Sequence, residues 1–213
     1  MNQLFVCKNM KNFVIAAEIC EDLWVPVPPS SELCLNGADI IANLSASNEA
    51  VTKNDYRKNI ISVQSAKCFC AYVYASSGVG ESSTDLVFSG ACTIAENGAI
   101  LSESERFAFD GSSASAYIDF EKLNSERVRN GSFSDNNEIL RENDFTVIPA
   151  YVNEAEYDDI ARSFYPYPFV PSNESERELR CGEILSIQSA GLAKRLAHTG
   201  LKKAVIGISG GLD

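Results

Sequence analysis

Three short apolar runs govern what this chain can fold into: KNFVIAAEI (11–19), ADIIANLSA (38–46) and AYVYASSG (71–78). The first two are nearly continuous rather than alternating, as in strands that a sheet buries, and the third is rich in β-favouring residues and ends at glycine. Between them, PSSELCLNGA (29–38) has an N-cap serine and a glycine stop, which predicts a short helix. DYRKNIISVQSAKCFC (55–70) sets Ile60, Ile61, Val63, Ala66 and Cys70 at helical spacing. Further on, Asn97-Gly98 lies between two apolar runs in GACTIAENGAILSES (90–104), a hairpin signal, and ASAYIDFEKL (114–123) predicts one more strand. Strands and helices alternate early and strands gather later, so the expected class is α/β, layered, with mixed pairing.

The pattern changes after residue 160. SFYPYPFVPSNESER (163–177) spreads Pro166, Pro168 and Pro171 among aromatics and reads as an extended, semi-rigid linker. ERELRCGEILSIQSAGLAKRLAHTG (176–200) then predicts a long amphipathic helix closed by Gly200. KKAVIGI (202–208) predicts a buried strand, and Ser-Gly-Gly-Leu-Asp follows it. A second domain is therefore expected to open near residue 176.

Charge narrows the partners. With 18 basic and 29 acidic residues the net charge is −11, which argues against a nucleic-acid footprint or an anionic membrane surface. No stretch reaches the roughly 18–20 apolar residues of a membrane helix, and the start shows no secretory pattern, so the cytoplasm is the expected compartment. The seven cysteines follow no framework spacing, and the single histidine, His198, is far from most of them in sequence. No structural metal site is expected, and most of the thiols read as small buried hydrophobes in a reducing compartment.

Cys20 stands apart. It ends the first apolar run, is followed by Glu21 and Asp22, and precedes Trp24 and three prolines in AAEICEDLWVPVPPS (16–30). Read from its neighbours alone, it is core filler, half of a disulfide, a metal ligand or a nucleophile. A strand-to-turn junction suits a nucleophile because the scaffold fixes the backbone there. Two adjacent acids oppose a thiolate, so an activating base or cation has to come from elsewhere.

The ordered set EICEDLWVPVPPS, GADIIANLSASNE, YVYASSGVGESSTDLVFSG and IAENGAIL resembles the glutaminase domain of the glutamine-dependent NAD synthetases, a branch of the nitrilase (carbon–nitrogen hydrolase) superfamily. The resemblance runs over roughly residues 12–213. It implies amide hydrolysis of glutamine by a Glu-Lys-Cys triad through a thioester, with ammonia released. Cys20 matches the nucleophile, Glu21 a position that binds the glutamine α-amino group, and Ser47 a second glutamine-contacting position. Trp24 is expected in the pocket wall, and Tyr74, Glu81 and Asp85 on a loop that could border the same cleft. The family's glutamate and lysine lie upstream of its cysteine, and Glu18, Lys8 and Lys11 do not match their context.

The chain's last residues carry a second resemblance. ISGGLD is not a Walker A loop, but a glycine pair after a strand lets backbone N–H groups close on a phosphate. Ser209, Gly210, Gly211 and Asp213 resemble the ATP-pyrophosphatase loop of the family's synthetase domain. That implies ATP and Mg2+ as co-substrates, and nicotinic acid adenine dinucleotide as the acceptor of ammonia. The organisation expected is the C-terminal part of a nitrilase-like αββα glutaminase domain (1–150), a linker (151–175) and the first helix and strand of a Rossmann-like ATP-pyrophosphatase domain (176–213). Such a fragment is expected to be inactive alone, to bind no cofactor and to form homo-oligomers. The alternatives are a stand-alone amidase of the same superfamily, or a non-catalytic remnant or half of a split enzyme.

Overall fold

The computed structural model describes residues 3–139, 145–153, 162–164, 166–167 and 169–207. Two compact units divide the chain, Met1–Asp159 and Ile160–Asp213.

The first unit is built on one mixed sheet of seven strands. In chain order these are β1 (Gln3–Cys7), β2 (Val14–Ile19), β3 (Ile40–Ser45), β4 (Ala71–Ser76), β5 (Cys92–Glu96), β6 (Ala99–Glu103) and β7 (Thr146–Ala150). Their order across the sheet is β6-β5-β4-β3-β2-β1-β7. The three apolar runs form its centre: β2, β3 and β4 pair in parallel, with Ala17 beside Ala42 and Ala42 beside Val73. The crossovers are α1 (Pro29–Leu35) and α2 (Lys53–Cys68), as the helical spacing predicts. The N-cap of α1 is Pro28 rather than a serine, with Pro29 opening the helix, because proline's missing N–H costs nothing at the first turn.

The hairpin forms where Asn97-Gly98 predicts it, with both residues at positive φ (45° and 87°) as the tight turn demands. Gly98 is favoured for a second reason, since a Cβ there would sit 3.0 Å from that of Ala66 on α2 and press the hairpin against the helix. The strand expected over 114–123 is absent: residues 111–119 are irregular and α3 (Phe120–Arg129) begins one residue after Asp119, whose carboxylate accepts from the Lys122 N–H. A good N-cap outweighed the β-favouring Tyr-Ile pair. Helix α4 (Gly131–Ile139) follows. Arg127 then ties α3 to the segment entering β3 and to the end of α2, donating to Asp39 at 3.0 Å and to the carbonyls of Ala38 and Cys68.

Leu4, Ala16, Ile41, Tyr72, Tyr74 and Ala95 form the core with Leu33 and Cys34 of α1 and Ile61 and Cys68 of α2. The alternate residues point the other way, and Ile19 and Leu44 remain 57 % exposed. Among the described residues the unit is thus one helix layer on one sheet, half of the four-layer αββα arrangement.

In the second unit α5 spans Glu174–Thr199, with the Asn173 side chain capping its start and Gly200 at φ 71° closing it. The strand expected at 202–208 does not form over the described residues 201–207, and Val205 is 98 % exposed there. An apolar run needs a neighbouring strand to become one, and none lies beside it among the described residues.

Candidate active site

Strand β2 ends at Ile19, and a 3-10 turn over Cys20–Trp24 begins at once. The Asp22 carboxylate accepts from the Ile19 N–H at 2.8 Å, which folds the chain over at the strand end. Cys20 sits in the left-handed region at φ 51°, a conformation that costs a residue with a Cβ roughly 1–2 kcal/mol. Backbone strain of this kind gathers at functional positions, and a tight strand-to-helix turn is one way to lift a nucleophile above a sheet.

Cys20 opens on a cavity of about 120 Å³ lined by Glu21, Trp24, Ala46, Ser47, Asn48 and Lys53. Three of the residues singled out from sequence, Cys20, Glu21 and Ser47, therefore meet around one space, with Trp24 as its wall. Trp24 stacks on Tyr56 at 5.2 Å between centroids, which fixes the indole. The parallel pairing produces this convergence: the ends of β2 and β3 lie side by side, with Ile19 beside Leu44, so the segments after both strands share one sheet edge.

Lys53 was not legible as a site residue, although one signal was there. It is the first residue of α2, where a cation opposes the helix dipole, a local conflict that often marks a functional position. Its Nζ donates to Asn48 Oδ1 at 2.9 Å and lies 5.6 Å from the Trp24 ring. Glu21 and Lys53 thus bring opposite charges to one cavity, and among the described residues neither is in an ion pair.

Behind Ser47 lies a buried ionic frame. Arg57, fully buried, bridges Glu49 at 2.9 Å and points a second nitrogen at Ser47 Oγ, 3.5 Å away. Glu49 also binds Arg106 at 2.9 Å and accepts from Ser89 at 2.6 Å. Burial pushes the Glu49 carboxyl up, but the Ser89 hydrogen bond and the two guanidiniums outweigh it and hold the group below its ordinary range. Tyr74 belongs to this frame rather than to a cleft loop: it is a buried residue of β4, and Arg57 lies over its ring at 5.6 Å. Glu81 and Asp85 are exposed and do not line the cavity.

Below the cysteine, Glu18 is buried and accepts from the Ser30 N–H at 2.7 Å and from the Tyr72 hydroxyl. Burial raises its carboxyl above the ordinary range, against the pull of those hydrogen bonds. Lys8 and Lys11 are exposed in the turn between β1 and β2. None of the seven cysteines is in a disulfide. No described helix is long and apolar enough to cross a membrane, and no described cluster of His, Cys, Asp or Glu could hold a metal ion. Ser209, Gly210, Gly211 and Asp213 lie outside the described residues.

Comparison with known proteins finds relatives along nearly the whole chain. The chain is 42 % identical over 217 residues to a glutamine-dependent NAD(+) synthetase of Mycobacterium tuberculosis, covering 99 % of this chain and 31 % of that protein. The Mycobacterium leprae protein of the same name is 41 % identical over the same spans. The chain therefore spans about a third of the length of the curated relatives it matches. A crystal structure of a glutamine-dependent NAD(+) synthetase from Cytophaga hutchinsonii aligns with TM-score 0.44 and 26 % identity, over 54 % of this chain and 17 % of that one. No protein-family model matches the chain.

Proposed function

From a chain similar over nearly its whole length to part of the glutamine-dependent NAD(+) synthetases, we propose that Cys20 is the nucleophile of a site that hydrolyses the side-chain amide of L-glutamine. The observation that carries this reading is the cavity in which Cys20, at a left-handed strand-to-helix turn, meets one acid and one lysine that are in no ion pair among the described residues. L-Glutamine presents the complementary charge pattern: an ammonium and a carboxylate on one carbon, with a neutral amide carbon three bonds away.

In this reading Glu21 takes the α-ammonium, Lys53 the α-carboxylate, and Ser47 a further hydrogen bond, while the frame at Arg57 and Glu49 holds Ser47 in place. The Cys20 sulfur adds to the amide carbon, the carbon–nitrogen bond breaks as nitrogen takes a proton, and ammonia leaves a γ-glutamyl thioester. Water then attacks the thioester, releasing glutamate and restoring the thiol. A developing oxyanion needs donors aimed at it, a role for backbone N–H groups of the 3-10 turn in this reading. The base that takes the thiol proton is not assigned to Glu18, because every group reaching that carboxylate is a donor engaged below the turn.

The ammonia would serve an ATP- and Mg2+-dependent amidation of nicotinic acid adenine dinucleotide to NAD+. For that half, support comes from the sequence of Ser209, Gly210, Gly211 and Asp213 and from the relatives' name. The cytoplasm is the proposed compartment, which suits seven free thiols.

Protection of Cys20 from iodoacetamide tests the site without requiring turnover. L-Glutamine is expected to protect, and analogues lacking the α-amino or the α-carboxyl group to protect about tenfold less well. Glu21→Gln should erase the first difference and Lys53→Met the second. Equal protection by simple amides would overturn the reading.

A further inference from the structure

A chain of buried hydrogen bonds runs from Glu18 to the backbone of Cys20. Asn43, on the helix-facing side of β3, donates through Nδ2 to the Cys20 carbonyl at 3.3 Å and to the Tyr72 hydroxyl at 3.0 Å. Its Oδ1 accepts from Ser45 Oγ at 2.7 Å. The Tyr72 hydroxyl, having accepted from Asn43, donates to Glu18, which also accepts from the Ser30 N–H at the start of α1. Donor and acceptor counting leaves one arrangement. An amide nitrogen has no acceptor to offer, so the Tyr72 proton can point only at Glu18, and the Asn43 amide cannot flip without setting its oxygen against the Cys20 carbonyl. Glu18, Asn43 and Tyr72 are all at most 2 % exposed.

The arrangement has a direction and an end point. It begins at a buried carboxylate and finishes at the carbonyl of the one strained residue in the cavity, Cys20 at φ 51°. A left-handed residue with a Cβ relaxes unless its surroundings over-determine it. The Asp22 bracket on Ile19 closes the turn from one side, and Asn43 holds the carbonyl from the other.

We propose that Asn43 is a positioning residue for the Cys20 nucleophile, oriented by Tyr72 and Glu18 so that its side-chain amide holds the left-handed turn and keeps the thiol facing the cavity. The inference rests on the reading of Cys20 as a nucleophile. Asn43 touches no cavity space itself and acts only through the Cys20 backbone.

The test uses the chain's own cysteines as reporters. The rate of iodoacetamide labelling is followed at each cysteine by peptide mass. Cys181 is exposed and serves as the free-thiol reference, while buried Cys34, Cys68 and Cys70 report on unfolding. In the unsubstituted chain the Cys20 rate is expected to differ from that of Cys181 by about tenfold. In Asn43→Leu it should approach the Cys181 rate while the buried three stay unlabelled, and the L-glutamine concentration giving half-protection should move by less than about twofold. A residue acting only on stability would leave the Cys20 rate unchanged or shift both quantities together, and either result overturns the proposal. Equal Cys20 and Cys181 rates in the unsubstituted chain would overturn it too. If Asn43→Leu exposes the buried three, Tyr72→Phe decides: it frees Asn43 but keeps the ring, and an unaltered Cys20 rate in it overturns the proposal. Failure of L-glutamine to protect the unsubstituted chain would sink the functional reading, while the rate comparison still tests Asn43.

Discussion

The two faces of the seven-stranded sheet differ in what covers them. On the helix-covered face, neighbouring strands alternate core residues such as Ile41 and Tyr72 with buried polar ones, Glu18, Asn43 and Ser45. On the other face, Ala17, Ile19, Leu44 and Ala75 are exposed and carry no polar network. The difference teaches that the covered face has two tasks. It supplies the apolar burial that holds the unit together, and its polar residues carry the geometry of the sheet centre up to the cysteine turn. The open face is smooth and apolar, the kind of surface a second layer covers.

The sharpest way to break the comparison is to delete equivalent bulk from both faces of β3. Ile41→Ala, on the covered face and fully buried, should cost about 2–5 kcal/mol in urea unfolding. Arg57→Ala comes next. It leaves the nearly buried Glu49 with Arg106 and Ser89 as partners, so the cost should fall below the roughly 3–5 kcal/mol of a buried charge left wholly unpaired. Leu44→Ala, three residues from Ile41 but on the open face, should cost less than about 0.5 kcal/mol, read from the same midpoint shift. Leu44→Lys should reduce light scattering at high concentration if the open face drives association. A Leu44→Ala cost as large as that of Ile41→Ala would show that the second face is covered.

The smallest effect concerns pH. Burial holds the Glu18 carboxyl above its ordinary value of 4.5, so the folded chain keeps a proton there that the unfolded chain has released. Stability contributed by that proton is full below 4.5 and is lost as pH rises through the raised folded value. Glu49 is shifted the other way: its contribution is present above 4.5 and is lost as pH falls through its lowered folded value. Melting temperatures of Glu18→Gln against pH should therefore lose the decline above 4.5, and those of Glu49→Gln the decline below it. Parallel curves for all three proteins would contradict both assignments.

The contrast between β2 and residues 201–207 shows how far sequence could reach. KNFVIAAEI and KKAVIG (202–207) have nearly the same apolar character, yet one supplies the heart of a sheet and the other is exposed chain. Periodicity reports the capacity to pair, and only the neighbouring strand turns it into structure. β1 and β7 escaped notice for the converse reason: QLFVC and TVIPA are short, and pairing in the fold, not pattern, makes them strands. At the site, Cys20, Glu21, Trp24 and Ser47 were legible because their local strings are distinctive. Lys53, Asn43 and Tyr72 were not, since a lysine in a polar stretch and two residues inside apolar strands acquire their roles only when parallel pairing sets them around Cys20.

The most direct test of the account is labelling by an analogue of L-glutamine whose side-chain amide is replaced by a chloromethyl ketone, a group that alkylates a thiol held beside the substrate's amide. The account predicts that Cys20 is labelled first and saturably, that L-glutamine competes, and that Cys181 follows only at the rate of a free thiol. Labelling of Cys20 that is unsaturable, indifferent to L-glutamine and no faster than that of Cys181 would contradict it.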